Sequence, residues 1–443
     1  MARSTTRCAV SIISAVGLIL IAEDANAVPS FARQTGLQCS ACHAGYPALN
    51  AFGREFKLNG YVFGGGDSHF PPLAAMIQGS FTHTEKDQPT DAAKHFRDND
   101  NLALQQASIF YGGRIYDKLG AFVQSTYDGV ADRFAIDNTD IRYANSATVA
   151  NTNLVYGFSL NNNPTVQDLW NTTPAWGYRF ASSRLAPTPT ASTLIEGGLA
   201  QQVAGLTGYM RWNNLLYGEI GGYRTLSRLT QTRLGISPEG ESQIDGTAPY
   251  WRANLQKDFG DHYLAFGTFG LAANTFPGRD MSAGVDRQTD LGIDLEYQYS
   301  VDPNDFSLWA RFIHEDSHFG ATQALGLSDN AYDVLRRSHL TASYLYDQTY
   351  GLDLSFFLTT GSTDATLYGT RSGRPTSESY IIQFDYLPFN KDGGPSVWEW
   401  FNPKFIIQYV AYRKFDGSRY DFDGNGRNAS DNNTLYVAVW MPF

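Results

Sequence analysis

The sequence predicts an all-β fold: a transmembrane antiparallel β-barrel of about sixteen strands, preceded by a short helical segment at its N-terminus. Three observations carry this. From Leu73 to Phe443 the chain runs in segments of about ten residues with period-two hydrophobicity, each closed by Gly, Asn, Asp or Pro. The connections between segments alternate short and long, as in a barrel with tight turns at one rim and loops at the other. Only about 45 residues separate Val28 from the first segment, too few to bury a large ligand in a core of their own.

In chain order, the first element is a leader. Arg3 and Arg7 precede an apolar run from about Ala9 to Ala22, and Ala25-Asn26-Ala27 offers small residues for cleavage, so residues 1–27 read as a secretory signal peptide. The run is too short to span a bilayer and ends in Glu23 and Asp24, which argues against a transmembrane anchor. A mature chain starting near Val28 is then expected outside the cytoplasm. A mean hydropathy of −0.31 over the whole sequence and the lack of an eighteen-residue apolar window after the leader exclude a helical membrane protein. A net charge of −11 argues against nucleic acid as a partner.

Residues 28–72 carry the motif Cys39-Ser40-Ala41-Cys42-His43. C-x-x-C-H is the attachment pattern of a c-type haem: two thiols form thioethers to the vinyl groups, and the imidazole becomes the proximal iron ligand. C-x-x-C alone also describes a thioredoxin-like pair, a zinc half-site or a disulfide. Zinc would want a second pair, yet the remaining cysteine, Cys8, lies in the leader. A thioredoxin pair wants a βαβ setting, and strands follow here. One covalently attached haem c, held by Cys39, Cys42 and His43, is therefore the expected cofactor. Ser30 is placed to start a short helix through Gln34, and Pro47 to Leu58 reads as a second helix stopped by Asn59-Gly60. Two short helices would leave most of a porphyrin exposed. The segment 28–72 is thus expected to plug the mouth of a barrel formed by residues 73–443, whose lumen side chains complete the pocket.

Strands are expected near 73–84, 102–115, 119–128, 134–144, 153–162, 201–212, 215–226, 248–259, 262–274, 288–300, 305–316, 333–346, 350–361, 377–387, 404–415 and 432–443. Leu291, Ile293, Leu295, Tyr297 and Tyr299 alternate with Gly292, Asp294, Glu296 and Gln298, and the stretches 352–358 and 380–386 repeat the pattern. Alternation alone fits a soluble sandwich equally well. Loop lengths separate the two: Tyr116-Asp117-Lys118, Asn213-Asn214, Gly260-Asp261 and Asp347-Gln348-Thr349 are tight, while most connections between them are long. Residues 388–403 are longer than the rule wants, and 129–133 shorter. The last segment, Leu435 to Phe443, ends on an aromatic residue, resembling the signal read by outer-membrane assembly machinery. An even strand count puts both termini on the short-turn, periplasmic side of a bacterial outer membrane.

Two features bear on the iron. Parity places Leu73, Ala75, Ile77 and Phe81 toward lipid and Met76, Gln78 and Ser80 inside, so Met76 offers a thioether as sixth ligand, with His69 as rival. His83 falls on the lipid-facing parity and His95 in the first long loop. Arg33, Arg54 and Lys57 are the basic groups nearest the motif and candidates to pair with the haem propionates, against a solvated face or the acidic wall. Of these, Arg33 and Arg54 join Cys39, Cys42 and His43 as expected cofactor contacts. Asp294, Glu296, Asp353 and Asp385 have lumen parity, where they either guide cations or form the polar interior usual in such barrels. Asp421 to Gly426 looks like half of a calcium loop, but the downstream acidic ligand is missing, so a turn is expected. The loop from Asn161 through Trp170 and Trp176 is a candidate to fold inward.

The run Val28-Pro29-Ser30-Phe31-Ala32-Arg33-Gln34-Thr35-Gly36, then Cys39 to His43, Pro47, Leu49, Phe52-Gly53-Arg54, Phe56-Lys57 and Gly60-Tyr61 resembles the N-terminus of fused outer-membrane cytochrome–porins, a family that includes the iron-oxidising outer-membrane cytochromes. The resemblance covers about 35 residues and implies a single haem c in a barrel of about sixteen strands. It also implies electron transfer across the outer membrane, while the family's variable loops carry over no substrate; an extracellular reductant, ferrous iron being a candidate, and a periplasmic cytochrome or other soluble carrier are the expected partners. Outer-sphere transfer needs no catalytic acid or base, so an electron-transfer protein is expected rather than an enzyme. The rivals are a haem-plugged porin acting as gate or sensor, and a haem enzyme reducing a small ligand such as peroxide. One haem cannot bridge an apolar band about 25 Å tall, so a partner must approach closely.

Overall fold

The computed structural model describes residues 29–64, 71–176, 181–237, 242–390 and 401–443; the leader and His69 lie outside these. The strands are β1 (Leu73–Thr84), β2 (Asn101–Tyr116), β3 (Leu119–Asp128), β4 (Arg133–Val149), β5 (Thr152–Asn161), β6 (Val203–Trp212), β7 (Leu216–Thr225), β8 (Gln243–Ile244), β9 (Ala248–Phe259), β10 (His262–Phe276), β11 (Asp286–Val301), β12 (Asn304–His318), β13 (Tyr332–Tyr346), β14 (Tyr350–Gly361), β15 (Ser377–Tyr386), β16 (Lys404–Lys414) and β17 (Thr434–Pro442). Each pairs antiparallel with its neighbour in sequence, β8 excepted: it is a two-residue rung beside β10, and β7 pairs directly with β9. The circle closes where β1 meets β17, from Met76 opposite Pro442 to Thr84 opposite Thr434. The sixteen long strands therefore form a closed antiparallel barrel, with every edge paired.

Which face is apolar distinguishes this barrel from a soluble one. On β11, Leu291 and Ile293 are 51% and 46% exposed on the outside, while Asp290 and Asp294 are buried in the lumen. The same inversion holds on β14 and β15, where Leu352, Leu354, Tyr380, Ile382 and Phe384 face out and Asp353, Gln383 and Asp385 face in. An apolar exterior around a polar interior is the pattern of a barrel immersed in lipid. Near the short-turn rim Tyr350 stacks on Tyr386 at 5.5 Å and Tyr386 on Phe405 at 6.1 Å, part of an aromatic belt. Strand β4 runs five residues beyond its expected end. Its pairing with β5 continues to Val149 opposite Thr152, and Ala150 and Asn151 close the hairpin with positive φ.

Inside the short-turn mouth sits the plug, built of α1 (Pro29–Thr35), the single turn α2 (Cys39–Cys42) and α3 (Ala51–Leu58). Helix α3 starts at Ala51 rather than Pro47, because the Asn50 side chain caps it by accepting from the Gly53 N–H at 3.0 Å. The Tyr46 hydroxyl donates to the Asn402 carbonyl at 2.6 Å, and the Tyr61 hydroxyl to Asp140 on β4 at 2.7 Å.

The connection between β5 and β6 folds into the lumen, and its residues 163–173 are buried. Asp168 accepts from the backbone N–H groups of Thr172 and Thr173, both at 3.1 Å, and pairs with Arg252 of β9 at 3.2 Å. Arg142 of β4 pairs with Asp140 at 2.7 Å and donates to the Gln167 carbonyl. Further along, Glu196 pairs with Arg311 at 3.0 Å and Arg337 at 3.1 Å. Plug and inward loop together occupy much of the lumen.

Candidate functional site

Helix α2 places Cys39 and Cys42 within one turn, and the chain leaves it at His43 in extended conformation, so the imidazole projects away from the helix. Asn50 binds this turn to α3: its amide donates to the carbonyls of Ser40 at 3.1 Å and Ala41 at 3.0 Å. The His43 Nδ1–H donates to the Ala48 carbonyl at 3.3 Å, leaving Nε2 as the nitrogen available to a metal. Burial keeps this imidazole neutral, lowering its pKa to about 4 against the opposing pull of the Ala48 and Pro47 carbonyls. The two cysteines form no disulfide; burial, with the neighbouring Cys39, pushes the Cys42 thiol up to about 12.

The two cysteines and His43 line a cavity of about 510 Å³ bounded by three parts of the chain. The plug forms one wall, strands β1, β2, β3 and β17 another, and the inward loop a third. Phe31, Phe56, Phe110, Phe122, Trp176 and Trp440 supply large apolar surface. Met76 lines the same cavity from β1, 4% exposed, in a cluster with Ala74, Phe110 and Trp440. The donor set fits a c-type haem: two thiols one turn apart, an imidazole with its outer nitrogen tied down, and a thioether in a largely apolar chamber of ligand-pocket size.

The inward parity of Met76 agrees with the sequence reading. The two arginines expected as cofactor contacts stand elsewhere. Neither Arg33 nor Arg54 lines the cavity: Arg33 donates to the Leu73 carbonyl at the rim, and Arg54 turns to the barrel wall. There Arg54 donates to Gln298 at 2.9 Å, pairs with Glu296 at 3.4 Å and lies 3.7 Å from the ring centre of Tyr263. A buried guanidinium with a carboxylate in reach is drawn to it. Lys57 does line the cavity. Burial, with the Arg142 charge adding to it, brings its pKa down to about 7.

Each of the four lumen-parity carboxylates has a partner in the wall. Asp294 pairs with Arg252 at 2.8 Å, Asp385 pairs with Lys404 at 2.7 Å, Glu296 accepts from Trp309 at 3.1 Å, and Asp353 accepts from Gln383 at 3.3 Å. Asp421 and Asp423 accept from the backbone N–H groups of Gly426, Asn425 and Arg427, so this segment is a self-capped turn. His83 bonds Asp100 at the exposed outer rim, and His95 is exposed.

Asn402 was not foreseen. It reaches from the β15–β16 connection to donate to the Cys39 sulfur at 3.1 Å, a contact across 363 positions with no local signal. Asn171 and Trp176 of the inward loop were marked only by the tryptophans nearby.

No protein-family model and no curated protein sequence matches this chain. Among solved structures it is similar to an anion-selective porin from Comamonas acidovorans, at 12% identity and TM-score 0.45 over 84% of this chain and 98% of that one. It is also similar to the outer membrane channel DcaP of Acinetobacter baumannii, at 12% identity and TM-score 0.45 over 84% and 96%. A third is OmpF of Salmonella typhi in complex with daunomycin, at 14% identity and TM-score 0.46 over 84% and 97%. The barrel itself is established by the pairing of its own strands, which closes at β1 and β17.

Proposed function

We propose that this protein is an outer-membrane c-type cytochrome that carries electrons between an extracellular donor, ferrous iron being one, and a soluble periplasmic carrier. The observation that carries the reading is the meeting of Cys39, Cys42, His43 and Met76 around one chamber inside a lipid-facing barrel. Bound there through Cys39 and Cys42, a haem would supply one-electron chemistry at its iron. His43, oriented by the Ala48 carbonyl, would hold its iron, and Met76 is the candidate to supply a second protein ligand. The aromatic walls make the chamber largely apolar, and the Asn50 clamp holds the motif on α3.

The occupied lumen supports a conduit for electrons over one for solutes, because Asp168, Arg252, Arg142 and Asp140 anchor chain where a porin keeps water. The haem-plugged porin remains the second reading, favoured by the barrel architecture alone.

The test is expression with a cytochrome c maturation system, followed by haem quantification and visible spectroscopy on the purified barrel. One covalent haem per chain with low-spin reduced bands is expected. A chain without covalent haem, or ready carbon monoxide binding to the reduced form, would sink the conduit. Low conductance in planar bilayers is the companion expectation, and an open channel for small ions would favour the porin.

A further inference from the structure

We propose that Lys57 is the cationic anchor of the cofactor, pairing through its ammonium with the carboxylate of a haem propionate. This rests on the haem reading above. Lys57 stands on α3 in the cavity wall and is 6% exposed. Its Nζ donates to the Val166 carbonyl at 2.8 Å and lies 4.7 Å from the ring centre of Trp176. Among the described residues no carboxylate lies within salt-bridge reach of it. The charged groups it feels are Arg142, Asp140, Asp168 and Glu219, and each acid already has a partner. Asp140 is held by Arg142 at 2.7 Å, Asp168 by Arg252 at 3.2 Å, and Glu219 accepts from the Tyr217 hydroxyl at 2.9 Å.

A buried ammonium is costly unless an anion meets it, and a carbonyl plus an indole face compensate in part. An anion that entered the same chamber as the two thiols would complete the set around the ammonium. The chamber's aromatic walls suit a large flat ligand bearing a carboxylate better than a small hydrated anion. A haem attached at Cys39 and Cys42 brings two propionates with it. Neither Arg33 nor Arg54 is in position to meet them, since both point out of the cavity.

The test uses the purified full-length barrel, wild type against Lys57→Met and Lys57→Arg. Each is equilibrated with a redox mediator at fixed potential, and the propionate bending bands are recorded by resonance Raman. Ferric haem carries one more positive charge than ferrous, so removing a nearby cation favours the ferric form. Lys57→Met is expected to lower the ratio of reduced to oxidised haem about fivefold and to move the propionate bands, while Lys57→Arg keeps both near wild type. Where Lys57→Met loads too little haem, Lys57→Gln replaces it. Unchanged ratio and bands in a haem-loaded neutral variant overturn the ion pair and leave the haem reading intact. Equal losses in the Arg and Met variants also overturn it, in favour of a shape requirement. A wild-type chain without haem fails the underlying reading instead.

Discussion

The side-chain oxygen of Asn171, in the inward loop, accepts a hydrogen bond from the backbone N–H of Leu49, in the plug, at 2.9 Å. Both residues line the cavity, so this bond ties its roof to its floor. Asn171 also has a φ of 56°, a conformation that asparagine tolerates better than most residues. Replacing it by alanine leaves a part-buried N–H without its acceptor, at a cost of about 1–3 kcal/mol. Asn171→Ala is expected to make the plug more sensitive to limited proteolysis while the barrel stays folded. Identical cleavage rates in variant and wild type would show that the clasp holds nothing.

Gly53 packs its α-carbon on the haem-motif turn. A Cβ there would lie 2.2 Å from the Cys42 carbonyl oxygen, backbone that cannot step aside without moving the motif. Gly53→Ala is therefore expected to cut covalent haem per chain several-fold, measured by haem staining normalised to protein. Ala51→Gly, at an exposed position of the same helix, is the control expected to cost about 1 kcal/mol of helix stability and little haem.

If Met76 supplies the sixth ligand, the oxidised protein carries a sulfur-to-iron charge-transfer band in the near infrared, and Met76→Leu abolishes it. The midpoint potential is expected to fall in Met76→His, since bis-histidine ligation favours a lower potential than methionine–histidine. A band that survives Met76→Leu excludes this residue as the ligand.

In the outer loops Asp364 joins two connections. Burial alone would raise its pKa. Hydrogen bonds from the Ser328 hydroxyl and the backbone N–H groups of Leu367, Asp329 and Asn330 outweigh that and hold it at about 2. A carboxyl depressed in the folded state stabilises it above its ordinary range, and the contribution is lost as pH falls toward the folded value. Hydrogen-exchange protection in segments 328–330 and 364–367, taken relative to the intrinsic rate at each pH, is thus expected to fall between about pH 4 and pH 2, and in Asp364→Ala to be low throughout. Protection factors in the wild type that do not change with pH would falsify the linkage.

Much of the architecture was legible because each wall strand writes its environment locally. Leu291 and Ile293 alternate with Asp290 and Asp294 at a period set by backbone geometry, and the tight turns of the hairpins are two or three residues that each include Gly, Asn or Asp. The inward parity of Met76 follows from the same rule. The C-x-x-C-H motif was equally local. Where Arg33 and Arg54 end was not legible, because nearness in sequence to Cys39 says nothing about the reach of a long side chain. The carboxylate that claims Arg54 is Glu296, 242 positions away, and Asn402 reaches Cys39 across 363.

By itself, then, the sequence determined a barrel of alternating strands and a thiol–imidazole triad in a segment too small to enclose a cofactor. Tertiary structure alone decided that the loop carrying Asp168, Asn171 and Trp176 folds inward to roof the chamber. It also decided that Lys57, not Arg33 or Arg54, stands in the chamber wall. Strand parity and turn chemistry are written within a few residues. Which cation meets which anion in a low-dielectric lumen depends on pairs that only closure of the barrel brings together.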